Sequence, residues 1–341
     1  METILDVQNL AFSFNTYAGE VQAVRGVSFS LKKGETLGLV GESGCGKSVT
    51  ARTILQLTPP YPQGEVKGGS IWFDGRDLLQ VNKAEISRIR AKDIRMIFQD
   101  PMTSLNPTMT IGKQITEGIL KAFPGVSKAE AKERALEALR LVGIPSPEER
   151  FGSYPHQFSG GMRQRVMIAL SIVVNPKLLI ADEPTTALDV TTQAQILALL
   201  KKMQEKHGTS VILITHDLGV VASQADTVAI MYAGKIAEIG PVDDIFERPA
   251  HPYTWGLLKS IPRLDGDVKE KLTPILGTPP DLFKPPQGCP FAARCPYTMK
   301  VCKQYDPQPT PVAEEHAVKC WLYHELAADV TNPITGKTVK A

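Results

Sequence analysis

The 341-residue sequence has no apolar run long enough to cross a bilayer. Its longest strongly apolar stretch, residues 166–174, is interrupted by a serine and falls well short of the ~18 to 20 residues a spanning helix needs. There is no surplus of either charge: 38 Lys and Arg stand against 36 Asp and Glu, a formal net charge of +2. That excludes the broad positive field that draws a protein onto nucleic acid or anionic lipid, and no nucleic-acid partner is expected. The first residues lack the basic, apolar, small-residue order of a signal peptide, which points to the cytosol. Cysteines are few, five in all, an odd number and unevenly spread. What remains is the balance of a globular protein, 43% hydrophobic and 22% charged, with enough apolar material to bury a full core. At about 150 residues per domain, the length suggests two domains.

The chain changes character near residues 240–260. Of its 26 prolines, 15 fall in the last 101 residues, together with Cys289, Cys295, Cys302 and Cys320. Before that point, residues 35–40, 94–98, 177–181, 211–215 and 227–231 read as buried strands, being short, apolar and closed by polar or glycine punctuation. Helical segments alternate with them, which implies a mostly parallel sheet covered by helices. Ser127 followed by Glu130 opens a helix, Ala131, Ala135, Leu139 and Val142 repeat along it, and Gly143 stops it. Asp189 caps a second helix running to about Lys206, with Ile196, Leu199, Leu200 and Met203 on its buried side. The prolines of the tail exclude regular helix there and predict a loop-rich segment.

Residues 41–48 read G-E-S-G-C-G-K-S, directly after a predicted strand and at the opening of a helix, and so fit the phosphate-loop pattern in its required context. Gly41, Gly44 and Gly46 let backbone amides, with those of Ser43, Cys45 and Val49, turn toward a phosphate at a helix N-terminus. Lys47 is placed to reach the β- and γ-phosphates, and the Ser48 hydroxyl to ligate Mg²⁺. Cys45 reads as a small residue facing away from the phosphate. The strand ending in Asp182 supplies a carboxylate for the Mg²⁺ shell, and Glu183 beside it can polarise a water for attack on the γ-phosphate. Together these predict a nucleoside triphosphatase.

Residues 158–165, F-S-G-G-M-R-Q-R, begin a helix shortly before the Asp182 strand. Here the chain resembles the ATP-binding subunits of ABC transporters, whose signature reads leucine-serine-glycine-glycine-glutamine. Phe158 and Met162 depart from that pattern; Ser159, Gly160 and Gly161 do not. The resemblance covers about 240 residues. It implies that Gln99 is the family's Q-loop glutamine and a second Mg²⁺ ligand, that Ala187, Leu188 and Asp189 form its D-loop, and that His216 is its switch histidine. Tyr17 occupies the place of the aromatic residue that stacks on adenine, although Phe12 and Phe14 are near and a core role competes.

The resemblance also implies architecture. The expected fold is α/β: a P-loop, RecA-like nucleotide-binding domain over residues 1–250, with an antiparallel β subdomain and a helical signature subdomain at about 100–172. A proline-rich C-terminal extension follows at 251–341. Two such subunits close head to tail, so Ser159 would act on ATP bound to a partner, either a second copy or a paralogue.

A narrower resemblance, carried by residues 247–254 (E-R-P-A-H-P-Y-T) and the proline-rich segment after them, is to the oligopeptide and dipeptide permease ATPases. It implies import of small peptides, with nickel or another small solute as the alternative. The implied partners are two integral membrane permease subunits and, indirectly, a solute-binding protein. The subunit would be peripheral, on the cytoplasmic face of the cell (inner) membrane, with residues 99–111, including Pro101 and Pro107, docking the permeases. The competing class is a soluble ABC ATPase of DNA repair or translation.

Cys289, Cys295, Cys302 and Cys320 suggest metal ligands in a loop-rich cytosolic segment. Pairs separated by two residues, the usual zinc-ribbon signal, are absent. The permease resemblance favours a [4Fe-4S] cluster, with Zn²⁺ or no metal as alternatives, and a structural role over redox sensing.

Overall fold

The computed structural model describes residues 2–186, 188–260 and 274–339. They divide into two compact units. The first comprises residues 2–5, 31–36 and the described residues of 72–214; the second comprises residues 6–30, 37–71 and the described residues from 215 onward.

The first unit is built on parallel strands. Ile94–Ile97 pairs with Leu178–Asp182, and Leu178–Asp182 pairs with Ser210–Thr215 as far as Ile214. Every residue of Leu178–Asp182 is buried, which is why that strand reads as an unbroken apolar run rather than an alternation. Helices Ile111–Ala122 and Lys128–Leu141 pack together, and Lys128–Leu141 packs on Gly160–Ile172. The start at Ser127 is as expected: its hydroxyl accepts the Glu130 amide at 3.1 Å, and Ala131, Ala135 and Leu139 are buried. The chain leaves that helix through Gly143, whose φ of +73° favours glycine. Asp189 caps Val190–His207. Its buried stripe is Ile196, Leu197, Leu200 and Met203, whereas Leu199 is only half-buried. The helical repeat brings Leu197, three residues before Leu200, onto the covered face instead.

The second unit holds residues 37–40 of the strand Thr36–Val40 beside Thr227–Tyr232 in parallel, with Val40 opposite Ile230. From there the pairing turns antiparallel through Lys235–Pro241, His316–Val318 and Thr310–Ala313. The C-terminal extension therefore adds two strands to a sheet, which its proline content did not suggest. Thr310–Ala313 tolerates Pro311 because it is the edge strand. Strands Gly19–Lys32, Thr3–Thr16 and Gly64–Phe73 are hydrogen-bonded neighbours in that order. The unit's core joins Val221, Val228, Ile230, Tyr232 and Tyr253 to Phe291 of the extension. No described helix is long and apolar enough to cross a membrane.

Candidate functional site

The phosphate loop stands between the fully buried strand Thr36–Val40 and the helix Lys47–Ile54. Its glycines are sterically required. A Cβ at Gly41 would run into the Met231 carbonyl, and one at Gly46, where φ is +103°, into that of Ala23. Gly46 is the N-cap of Lys47–Ile54, so the amides of the first turn open toward the loop. The buried Lys47 ammonium lies inside it and donates to the carbonyls of Gly41 at 2.7 Å and Glu42 at 3.0 Å. Cys45 is buried too, its sulfur 3.7 Å from Lys47 Nζ. Desolvation pushes that thiol above its ordinary pKa, against the pull of the Lys47 charge.

Asp182 ends its strand with no exposed surface. Glu183 follows with a φ of +47°, a left-handed backbone that costs a non-glycine residue energy and recurs at functional positions. Its amide donates to the Ile214 carbonyl at 2.9 Å, and its Oε2 accepts from Thr186 Oγ1 at 3.0 Å. Gln99, exposed just beyond Ile94–Ile97, donates from Nε2 to the same Oε2 at 3.0 Å. Two sequence candidates 84 positions apart thus meet.

Ser159 caps the signature helix Gly160–Ile172, its hydroxyl accepting the Met162 amide at 3.3 Å. Gly160 is exposed and Gly161 half-buried at that first turn, so the turn's amides are presented outward. Phe158, which departs from the family pattern, is buried; apolar volume is what its place uses. Asp189 holds Thr192 through the Thr192 amide at 3.0 Å and hydroxyl at 2.7 Å, and these bonds hold its carboxyl below the usual range. Ala187 lies outside the described residues. His216 is exposed, directly before Asp217, which caps Leu218–Gln224. Tyr17 is fully exposed in the turn between Thr3–Thr16 and Gly19–Lys32. Phe12 is buried and meets Phe14 edge to face, ring centroids 5.0 Å apart.

One residue of this neighbourhood went unnoticed in the sequence. Gln164, fully buried on the signature helix, donates from Nε2 to the Pro184 carbonyl at 2.7 Å. It pins the backbone immediately after Glu183. Its sequence neighbours are Arg163 and Arg165, so nothing along the chain sets it apart from an ordinary polar position.

The cysteine expectation is corrected. Among the described residues no group of three or more His, Cys, Asp or Glu side chains is placed to hold a metal ion, so neither the [4Fe-4S] cluster nor Zn²⁺ at Cys289, Cys295, Cys302 and Cys320 stands. The thiols instead fill apolar space. Cys289 and Cys302 are buried in the cluster around Tyr253 and Phe291, with Cys295 packed against it. Cys320 also packs against Trp255 and Leu322. Desolvation pushes the Cys289 thiol up to about 12 and that of Cys295 to about 11, and raises that of Cys320 as well. Such thiols are neutral and behave as small hydrophobes. The segment is held by packing and by backbone bonds such as Cys289 N–H to the Cys302 carbonyl at 2.8 Å.

A family model described as ABC transporter matches residues 24–186, and one described as the oligopeptide/dipeptide transporter C-terminal region matches residues 237–302. The oligopeptide transport ATP-binding protein OppD of Bacillus subtilis is 59% identical over 330 residues, covering 97% of this chain and 92% of that protein. The dipeptide transport ATP-binding protein DppD of the same organism is 60% identical over 327 residues, covering 96% and 97%. Among solved structures, a dimeric ATP-binding cassette in a post-hydrolysis state with ADP and Pi superposes with a TM-score of 0.64. It is 28% identical and covers 70% of this chain and 98% of that one.

Proposed function

Because the chain belongs to the oligopeptide and dipeptide ABC transporter family as one of its ATP-binding, ATP-hydrolysing subunits, we propose that it energises import of small peptides. The observation that carries the site assignment is the Gln99–Glu183 hydrogen bond, beside an Asp182 carboxylate buried at the strand end. In this reading Lys47 exchanges its loop carbonyls for β- and γ-phosphate oxygens. The amides of Ser43, Gly44, Cys45, Gly46, Ser48 and Val49 surround the phosphates. Tyr17 offers an exposed face for adenine. Ser48, Asp182 and Gln99 supply hydroxyl, carboxylate and amide oxygens, a hard donor set that suits Mg²⁺. Mg²⁺ held by these residues would supply positive charge against the phosphate oxygens. Glu183 takes a proton from the attacking water, Gln99 orients the carboxylate, and His216 contacts the γ-phosphate side.

Ser159, Gly160 and Gly161 complete the site of a second ATPase subunit, a copy or a paralogue, and Asp189 sits at that closure. The dimeric form of the similar solved cassette supports this pairing. Residues 99–111, which carry the exposed Met102, dock two membrane permeases fed by a solute-binding protein, placing the subunit on the cytoplasmic face of the membrane. Residues 1–250 form the nucleotide-binding domain in this division and 251–341 the extension. ATP binding favours the closed dimer and hydrolysis reopens it.

The test is reconstitution with the two permeases and the second ATPase in vesicles. Peptide-loaded binding protein is expected to stimulate ATP hydrolysis and peptide uptake. Stimulation by nickel but not peptides would replace the substrate class. A chain not retained by the permeases, with hydrolysis stimulated by RNA or DNA, would defeat the transport reading.

A further inference from the structure

The extension reaches into the phosphate loop through one side chain. Arg294, its side chain 6% exposed, donates from Nη1 to Glu42 Oε2 at 2.7 Å and to the Tyr232 hydroxyl at 3.2 Å. Its guanidinium lies over the Tyr232 ring, 5.7 Å from the centroid. The extension itself takes two further donors: Nε bonds the Leu276 carbonyl at 3.0 Å and Nη2 that of Ile275 at 3.1 Å. Glu42 is the second residue of the phosphate loop. Its amide donates to the Tyr253 hydroxyl at 3.0 Å, and its carbonyl accepts from Lys47. Pro279, Pro280 and Leu282 line one small cleft with Ser43 and Gly44.

A carboxylate on a loop that must receive a polyphosphate is an electrostatic liability. Left alone, Glu42 would repel the ligand, and at low local dielectric that repulsion is poorly screened. A paired Glu42 does not repel, and a fork also held by Tyr232, Ile275 and Leu276 cannot easily turn away. We propose that Arg294 is a positioning residue of the ATP site: it neutralises Glu42 and ties the phosphate loop to the extension, so that ATP affinity depends on the extension. This rests on the assignment of residues 41–48 to ATP. By linkage, ATP also stabilises the extension.

The experiment measures ATP affinity of the full chain and KM and kcat of the assembled transporter. Arg294→Ala is expected to weaken binding and raise KM by about tenfold, with kcat changed less than about twofold, as for lost charge compensation outside the reacting atoms. Glu42→Gln, which removes the charge itself, is expected to rescue it, so that the double variant binds ATP like Glu42→Gln alone. A merely structural Arg294 would cost the same in both backgrounds; that result, or an Arg294→Ala affinity within twofold of the parent, overturns the proposal. Lys47→Ala is the separate check on the site: ATP binding that survives it refutes the phosphate-loop assignment, independently of Arg294. Should Arg294→Ala fail to fold, hydrogen exchange of the unmodified chain decides. Amides at 275–277 and 291–295 are expected to slow with a non-hydrolysable ATP analogue, and unchanged exchange would overturn the coupling.

Discussion

Gln99 and Glu183 share one hydrogen bond of 3.0 Å, between residues that leave the C-terminal ends of two adjacent parallel strands. Ile97 pairs with Ala181, so the chain after each strand emerges on the same side, and the amide and carboxylate meet as a consequence of register. Gln99 thereby holds one oxygen of Glu183 and leaves the rotation of the carboxylate restricted.

Replacing Glu183 with Gln keeps shape and removes the proton acceptor. Turnover is expected to fall by about 10²- to 10⁴-fold, the range for loss of a positioned base. ATP binding stays within a few-fold and closed dimers accumulate. Single-turnover hydrolysis and size-exclusion in ATP measure both; unchanged hydrolysis would remove Glu183 from the base role.

Gln164→Leu removes the bond to the Pro184 carbonyl and leaves that acceptor buried. A loss of about 1 to 3 kcal/mol is expected, the cost of an unsatisfied buried group. The loop carrying Glu183 loses its tether, so kcat should fall while ATP affinity holds. Urea denaturation and steady-state kinetics read the two effects, and a variant normal in both would mean that the Pro184 carbonyl finds another donor without consequence.

Much of this site was legible because its signals are local. The G-E-S-G-C-G-K-S run is contiguous in the sequence, even though the carbonyls that exclude a Cβ at Gly41 and Gly46 belong to the distant Met231 and Ala23, and the apolar run before Asp182 follows from burial on both faces. What escaped depends on long-range contact. Glu42 and Arg294 are 252 positions apart, and nothing in the spacing of either announces the pair. Gln164 looks like one polar residue among several on a helix until its burial is known. The left-handed backbone at Glu183 has no residue signal, since glutamate gives no hint of positive φ. The four clustered cysteines misled for the same reason: nearness along the chain says little about where the sulfurs converge, and here burial among aromatics explains them. The two strands of the extension were hidden by prolines that an edge strand accommodates.

Glu238, with no exposed surface, joins that extension to the rest of the second unit. It accepts the Ala250 and His251 amides at 2.6 and 2.8 Å and the Thr254 hydroxyl, and lies 2.8 Å from His316 Nε2. Glu238→Gln puts an amide NH₂ where donors already point. A destabilisation of about 3 kcal/mol is expected, near the range for breaking a buried charged network. A melting temperature close to that of the parent would show that the network rearranges around the amide.

The same neighbourhood sets a pH dependence. His251 is buried, and its Nδ1 accepts the Tyr253 amide at 3.0 Å, capping Pro252–Lys259. Burial lowers its pKa from 6.5 to about 4, against the opposing pull of the Glu238 charge and a hydrogen bond to the Lys319 backbone. The folded state therefore binds fewer protons than the unfolded state between these values. Stability from this group is complete above pH 6.5, declines as the pH falls and is gone near pH 4. The whole effect is worth roughly 3 kcal/mol. Below pH 4 both states are protonated and the group contributes no further slope. His251→Asn keeps an oxygen to cap the helix and removes the titration. Denaturant unfolding at pH 7.5, 6, 5 and 4 should show a shallower decline for the variant than for the parent. Parallel declines would assign the acid sensitivity to other groups and leave His251 a cap alone.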